Sequence, residues 1–210
     1  MKKYPTFIIG TPFCKEKYLY GDTYLRFLLE VKYKESNNHN QVLCIMMNPS
    51  IANSNESDDT INKILKLLNE KMLFATLKVV NIYQVYKSQS DMLATTLEEI
   101  IYKLGKDEFN NIMKKKLSTI YEQIVKVDNI ILAWGNPSEG MNEKKYLSRC
   151  SQITEFLSYL ISKRLFVFKT GTWERILTQK GQPRHPSRNN LIDLVDCNIG
   201  IGNKICVKLK

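Results

Sequence analysis

Four short apolar runs, each with an Asn, Gly or Thr at or near its end, limit the folds open to this chain. They are QVLCIMM at 41–47, TLKVVNIY at 76–83, NIILAWG at 129–135 and RLFVFKT at 164–170. Runs of this length, bounded by turn formers, fit strands buried on both faces. The segments between them have helical spacing. After the polar loop IANSNESDDT, Ser57, Asp58 or Asp59 can cap a helix that runs to about Met72, with Ile61, Ile64, Leu65 and Leu68 on one stripe. A second helical stretch covers 97–127, broken near Gly105, and a third covers 144–163. Strand and helix in alternation predict a parallel sheet covered on both faces.

The flanks add less regular pieces. TYLRFLLEVKYK at 23–34 is rich in Tyr, Leu and Phe and reads as an early strand; ESNNHN at 35–40 reads as a turn, and NKICVKLK as a closing edge strand. The expected fold is therefore a three-layer α/β/α domain. Its centre is a mainly parallel four-stranded sheet, with extra N-terminal and C-terminal edge strands. The 210 residues suit one domain, 1–210 with its core at about 20–190, and can bury a core without disulfides or metal. Cys14, Cys44, Cys150, Cys197 and Cys206 are odd in number and widely spread, with no zinc or redox spacing. They read as reduced thiols. MKKYPTFIIG is too short and too polar for a signal peptide, and no segment approaches a membrane span. A cytoplasmic protein without a membrane partner is expected.

In a parallel sheet, ligands bind beyond the carboxyl ends of the strands. Here the polar punctuation gathers there. Met47-Asn48-Pro49-Ser50 follows the first run, Asn81 and Tyr83 close the second, Gly135-Asn136 follows the third, and Gly171 precedes the loop GQPRHPSRN. Asn48 is a turn former, or an amide that can hold a water or a base edge. Asn81 inside a strand needs its hydrogen bonds met, either by a neighbouring loop or by a ligand. Tyr83, two residues on, is placed on the same side of the strand by alternation and could stack on a base or pack. His185 lies between Arg184 and Pro186, followed by Ser187 and Arg188. The prolines restrain the loop and the arginines can meet phosphate. His39 sits in a polar turn and reads as inert. Asp58 and Asp59 fit capping, with a catalytic role as the alternative. Lys114-Lys115-Lys116 reads as a solvated helix face.

No phosphate-binding loop, dinucleotide fingerprint, HExxH or GxSxG occurs, so neither a cofactor nor a resident metal is expected. The formal charge of +10 favours polyanions and makes a nucleic acid or nucleotide the expected partner. It leaves the oligomeric state open.

In their order, CIMMNPSIANSNESDDTI, KVVNIYQVYKSQSDML, NIILAWG and GQPRHP resemble the bacterial and phage domain-of-unknown-function family 1643, over about residues 20–190. More distantly, the same segments resemble the uracil-DNA glycosylase superfamily. Its first strand ends in a water-positioning motif of the Gly-x-Asn-Pro-Gly kind, similar to MMNPS with Met46 and Ser50 at the glycine positions. Its second ends in a base-reading Asn, as VVNIY does; its third resembles ILAWG; its late His-Pro-Ser loop is similar to His185-Pro186-Ser187. That resemblance implies a uracil-DNA-glycosylase-like layout and a base pocket at the sheet edge. Asn48 stands where the most active branches carry Asp, and an amide cannot take a proton. Arg188 replaces a common Pro.

Two functions follow as expectations. The first is hydrolysis of an N-glycosidic bond in DNA or a nucleotide. Asn48, His185 and Asp59 would be catalytic, with Asn48 placing water and His185 steadying the departing base. Met47, Pro49, Ser50, Asn81, Tyr83, Gly135, Arg184, Ser187 and Arg188 would bind substrate. The second is a non-catalytic nucleotide or nucleic-acid binder using the same pocket. The orientation of Asp58 and Asp59 discriminates between them: a carboxylate facing Asn48 favours the enzyme, and capping alone favours the binder.

Overall fold

A computed structural model of the chain describes residues 2–35, 40–86, 93–171, 175–188 and 190–208, with Arg188 described by its backbone alone. His39 and the side chain of Arg188 therefore lie outside the described residues. The strands are β1 (Phe13–Tyr20), β2 (Thr23–Lys32), β3 (Gln41–Met46), β4 (Thr76–Asn81), β5 (Asn129–Ala133), β6 (Arg164–Thr170), β7 (Leu191–Ile199) and β8 (Ile205–Val207). The helices are α1 (Asp59–Glu70), α2 (Leu93–Leu104), α3 (Lys106–Lys126) and α4 (Glu143–Ser158).

All eight strands form one sheet in the order β1-β2-β4-β3-β5-β6-β7-β8. Three pairings are parallel, β3–β4, β3–β5 and β5–β6. Four are antiparallel, β1–β2, β2–β4, β6–β7 and β7–β8. This corrects the expectation of a four-stranded, mainly parallel sheet of uracil-DNA-glycosylase-like layout. The sheet is mixed, with eight strands in place of four flanked by edge strands, and most of its pairings are antiparallel. The reason lies in the flanks. β1 is short-range hairpin partner to β2, and β7 (LIDLVDCNI) carries Asp193 and Asp196, which obscure it as a strand. Both aspartates are spoken for: Lys71 reaches Asp193 at 3.2 Å and Arg164 reaches Asp196 at 3.7 Å.

The buried residues divide between the two faces. Cys44 and Met46, Leu77 and Val79, Ile131 and Ala133 form one core with Ile61, Ile64, Leu65 and Leu68 of α1. Leu43 and Ile45, Val80, Ile130 and Leu132 form the other with α2, α3 and α4. Alternation of side chains along each strand produces this division. From β3 the chain crosses through α1 to β4, then returns past β3 to β5 and on to β6. The strand order thus reverses between β3 and β5, and it is beyond the carboxyl ends at such a reversal that open α/β sheets bind ligands.

Gly105, with φ +83°, breaks the long helical stretch into α2 and α3. Asp58 caps α1, its side chain accepting from Ile61 N at 2.8 Å. Among the described residues no helix is long and apolar enough to cross a membrane.

Asp58→Ala removes a cap bond that is buried, so it should lower unfolding stability by about 1 kcal/mol. Asp59→Ala removes only an exposed pair with Lys2 and should change stability by roughly 0–1 kcal/mol, nearer zero. Urea midpoints of the two variants check the difference.

Candidate functional site at the carboxyl edge

The carboxyl edge begins where β3 ends. Met46 and Met47 are buried, Asn48 and Ser50 are half-buried and Pro49 is buried. The carbonyls of Met46 and Met47 accept from Ile82 N at 2.8 Å and Tyr83 N at 2.7 Å, so the segment after β4 stays zipped to this loop. Asn48 Nδ2 donates to the Pro49 carbonyl at 3.1 Å, which fixes the amide in the turn. Met47 turns inward into the core under α2–α4, and its sulfur accepts from Ser138 Oγ at 3.3 Å.

Asn81, the last residue of β4, is 1% exposed, and its Oδ1 accepts from Arg26 at 2.9 Å. Arg26 is equally buried and also donates to the Ala52 carbonyl at 2.7 Å. Its guanidinium carbon lies 5.9 Å from the centre of the Tyr86 ring. A bulge aims it there. The β1–β2 register passes from Lys15–Leu28 to Glu16–Arg26, leaving Phe27 as the extra residue. Arg26 therefore reaches the same side as Val79 and Asn81. Its Nε and the Asn81 Nδ2 have no hydrogen-bond partner. The expected base-reading Asn81 is thus engaged internally through its oxygen. Arg26 was not among the expected site residues; the signal was a lone cation in the apolar run TYLRFLLEV.

On the other side of the switch point, the loop after β5 holds the histidine. Gly135 has φ +73°, and a Cβ placed there would come within 2.9 Å of His185 Cβ. Its N–H donates to the Pro183 carbonyl at 2.9 Å. Tyr146 of α4 donates toward the carbonyls of Trp134 and Gly135, at 3.0 and 2.9 Å. The indole of Trp134 donates to Gln182 Oε1 at 2.8 Å. These bonds bind the two loops into one unit.

His185 Nδ1 accepts from the Ser187 backbone N–H at 3.2 Å and lies 2.8 Å from Ser187 Oγ. A backbone N–H can only donate, so the neutral ring carries its proton on Nε2. Lys63 of α1 holds the Ser187 carbonyl at 2.9 Å.

Three expected roles are corrected. Arg184 does not offer its whole fork to phosphate, because Nε and one terminal nitrogen donate to the carbonyls of Arg175 and Leu177 at 3.0 and 3.2 Å. Both acidic residues have partners of their own: Asp58 caps α1 and exposed Asp59 pairs with Lys2. Tyr83 does not share a side with Asn81. β4 ends at Asn81, alternation lapses, and the Tyr83 ring enters the core under α2–α4, stacked on Tyr146 with centroids 6.4 Å apart.

The lysine run is corrected too. Lys114 and Lys115 are exposed, but Lys116 is 2% exposed. It lies on the stripe of Met113 and Ile120, three and four residues away. Burial, with the Arg149 charge beside it, holds its ammonium well below the ordinary range.

The fold is an open α/β domain whose strand order reverses between β3 and β5. The chain belongs to the protein family of unknown function designated DUF1643, which it matches over residues 26–187. That span begins at Arg26 and ends at Ser187, so it takes in the edge just described. No curated protein matches the chain, and neither does any solved structure.

Gly135→Ala should cost about 1–2 kcal/mol from the left-handed backbone and displace His185. A lowered urea midpoint together with a shifted His185 ring resonance checks it. Lys116 gives a pH signature. Between its lowered folded value and about 10.4 the unfolded chain holds a proton that the folded chain lacks. Stability gained from this group therefore rises with pH across that window. Relative to Lys116→Met, the wild type should gain stability as pH climbs from 7 toward 10, read from urea midpoints of both proteins.

Proposed function

We propose that the carboxyl edge between β3 and β5 binds a nucleobase-bearing ligand, a nucleotide or nucleic acid, with His185 and Asn48 as its polar contacts. The observation that carries this reading is the His185–Ser187 bond. It makes Nε2 a fixed donor, held against Gly135 beside the strand reversal. A base edge offers acceptors to such a donor, and the Asn48 amide can both give and accept. The formal charge of +10 supports a phosphate-bearing ligand.

Binding without turnover is the reading carried forward, because both candidate carboxylates are engaged elsewhere. The second reading is hydrolysis of an N-glycosidic bond. The same fixed donor favours it, since charge builds on a departing base and a preset donor meets that charge. Asn48 would then place the water.

The test measures binding and base release in parallel, using uracil-containing and other modified DNA and free nucleotides. His185→Ala and Asn48→Ala should each weaken binding by about 1–3 kcal/mol, with no release from the wild type. Release that falls in both variants far more than binding does would replace the binding reading with the hydrolytic one. DNA affinity should fall steeply between two ionic strengths. Absence of any binding by the wild type overturns both readings.

A further inference from the structure

On the opposite face of the sheet, α3 and α4 border a cleft of about 630 Å³. Ile82, Met113 and Leu117 give it an apolar lining, and five cations also line it: Lys114, Lys116, Lys144, Lys145 and Arg149. No acidic side chain lines it. Lys114, Lys144 and Lys145 are exposed, as expected of lysines. The other two cations are the anomaly. Lys116 Nζ and the Arg149 guanidinium lie over the same Tyr83 ring, 4.7 and 5.0 Å from its centre. Lys116 is 2% exposed, and among the described residues it makes no hydrogen bond or ion pair.

Lys116 is taken out of water beside the half-buried Arg149 guanidinium, and its charged form is costly there without an opposite charge. Contact with a ring recovers only about 2 kcal/mol even when desolvated. A simple structural role for position 116 would be met better by an apolar residue, since its stripe neighbours Met113 and Ile120 are apolar. The arrangement has a physical rationale if an anion completes it. Arg supplies a planar fork and Lys a point charge, the pair that suits a phosphate group. The cleft has the volume of a small-molecule site. A nucleic-acid backbone passing over the surface would meet Lys114, Lys144 and Lys145; reaching Lys116 requires a group that enters.

We infer that the α3–α4 cleft is a binding site for a small phosphate monoester with an apolar body, its phosphate held by Lys116 and Arg149. The site is separate from the carboxyl edge and does not rest on the reading given for it.

The test uses phenyl phosphate, inorganic phosphate and phenol, none of which carries a nucleobase, so failure here leaves the edge reading untouched. Affinities are taken by calorimetry on the full chain at constant ionic strength. Phenyl phosphate should bind more tightly than inorganic phosphate, and phenol should not bind. Lys116→Met should weaken phenyl phosphate by about tenfold or more, yet unfold at no lower temperature than the wild type when no probe is present. Lys145→Ala, at an exposed rim position, should weaken it several-fold and keeps the test open if the buried variant does not fold. The proposal is overturned if phenyl phosphate does not bind the wild type. It is equally overturned if both variants bind it as the wild type does. Calorimetric binding of duplex DNA that Lys116→Met weakens, with no binding of phenyl phosphate, would also overturn it in favour of a nucleic-acid surface.

Discussion

The guanidinium of Arg26 holds together the parts of the carboxyl edge that the backbone alone does not join. It donates to Ala52 in the loop leaving β3 and to Asn81 at the end of β4, while its own strand, β2, pairs with β4 from the other side. The backbone N–H of the same residue bonds the Gln84 carbonyl at 2.8 Å, extending that pairing past the end of β4. A long loop between a strand and a helix would otherwise be free to move away from the sheet. The loop from Met47 to Asp58 is instead anchored by Arg26 at Ala52, by Tyr4 at the Asn53 carbonyl, and by the α1 cap at Asp58. Asn48 and its turn are positioned by these anchors. All of this depends on the bulge at Phe27, without which Arg26 would face the other core.

The same geometry explains why residues two apart on β4 do different work. Asn81 belongs to the α1 side, where it meets Arg26; Ile82 and Tyr83 belong to the core beneath α2–α4. A strand's alternation is a property of its ladder, and the ladder of β4 ends at Asn81. Beyond it, Ile82 and Tyr83 keep only backbone bonds to Met46 and Met47, and the ring is free to settle against Tyr146.

This marks how far the sequence is legible. The four apolar runs and the intervening stripes identify β3 to β6 and the helices, because burial on both faces or on one stripe leaves a strong pattern. The outer strands leave a weak one. β1 is largely exposed and β7 alternates around two aspartates, so neither resembles a buried strand. Among the candidate residues, the turns are legible: the Asn-Pro after β3, the Gly after Trp134, the His-Pro loop. Buried cations are not. Arg26 and Lys116 are polar letters in apolar patterns, and reading them as surface residues ignores the strand and the stripe they stand on. Partner choice is also invisible before folding. Asp59 pairs with Lys2, 57 residues away, and Arg184 with carbonyls of its own loop.

The two buried cationic clusters also change the meaning of the chain's net charge. A basic composition is ordinarily a surface property, screened by salt and spent on long-range attraction. Here part of it is removed from water, at Arg26 on one face of the sheet and at Lys116, beside the half-buried Arg149, on the other. Neither Arg26 nor Lys116 has a carboxylate partner among the described residues. Both clusters adjoin the end of β4, at Asn81 on one side and at Ile82 and Tyr83 on the other. Screening weakens with burial, so these charges act on whatever lies beside them far more strongly than exposed lysines do. The end of β4 therefore stands between the buried Arg26 on one side and the Lys116–Arg149 cleft on the other. The first side adjoins the loop that carries Asn48, and the cleft is lined by aliphatic side chains and basic residues.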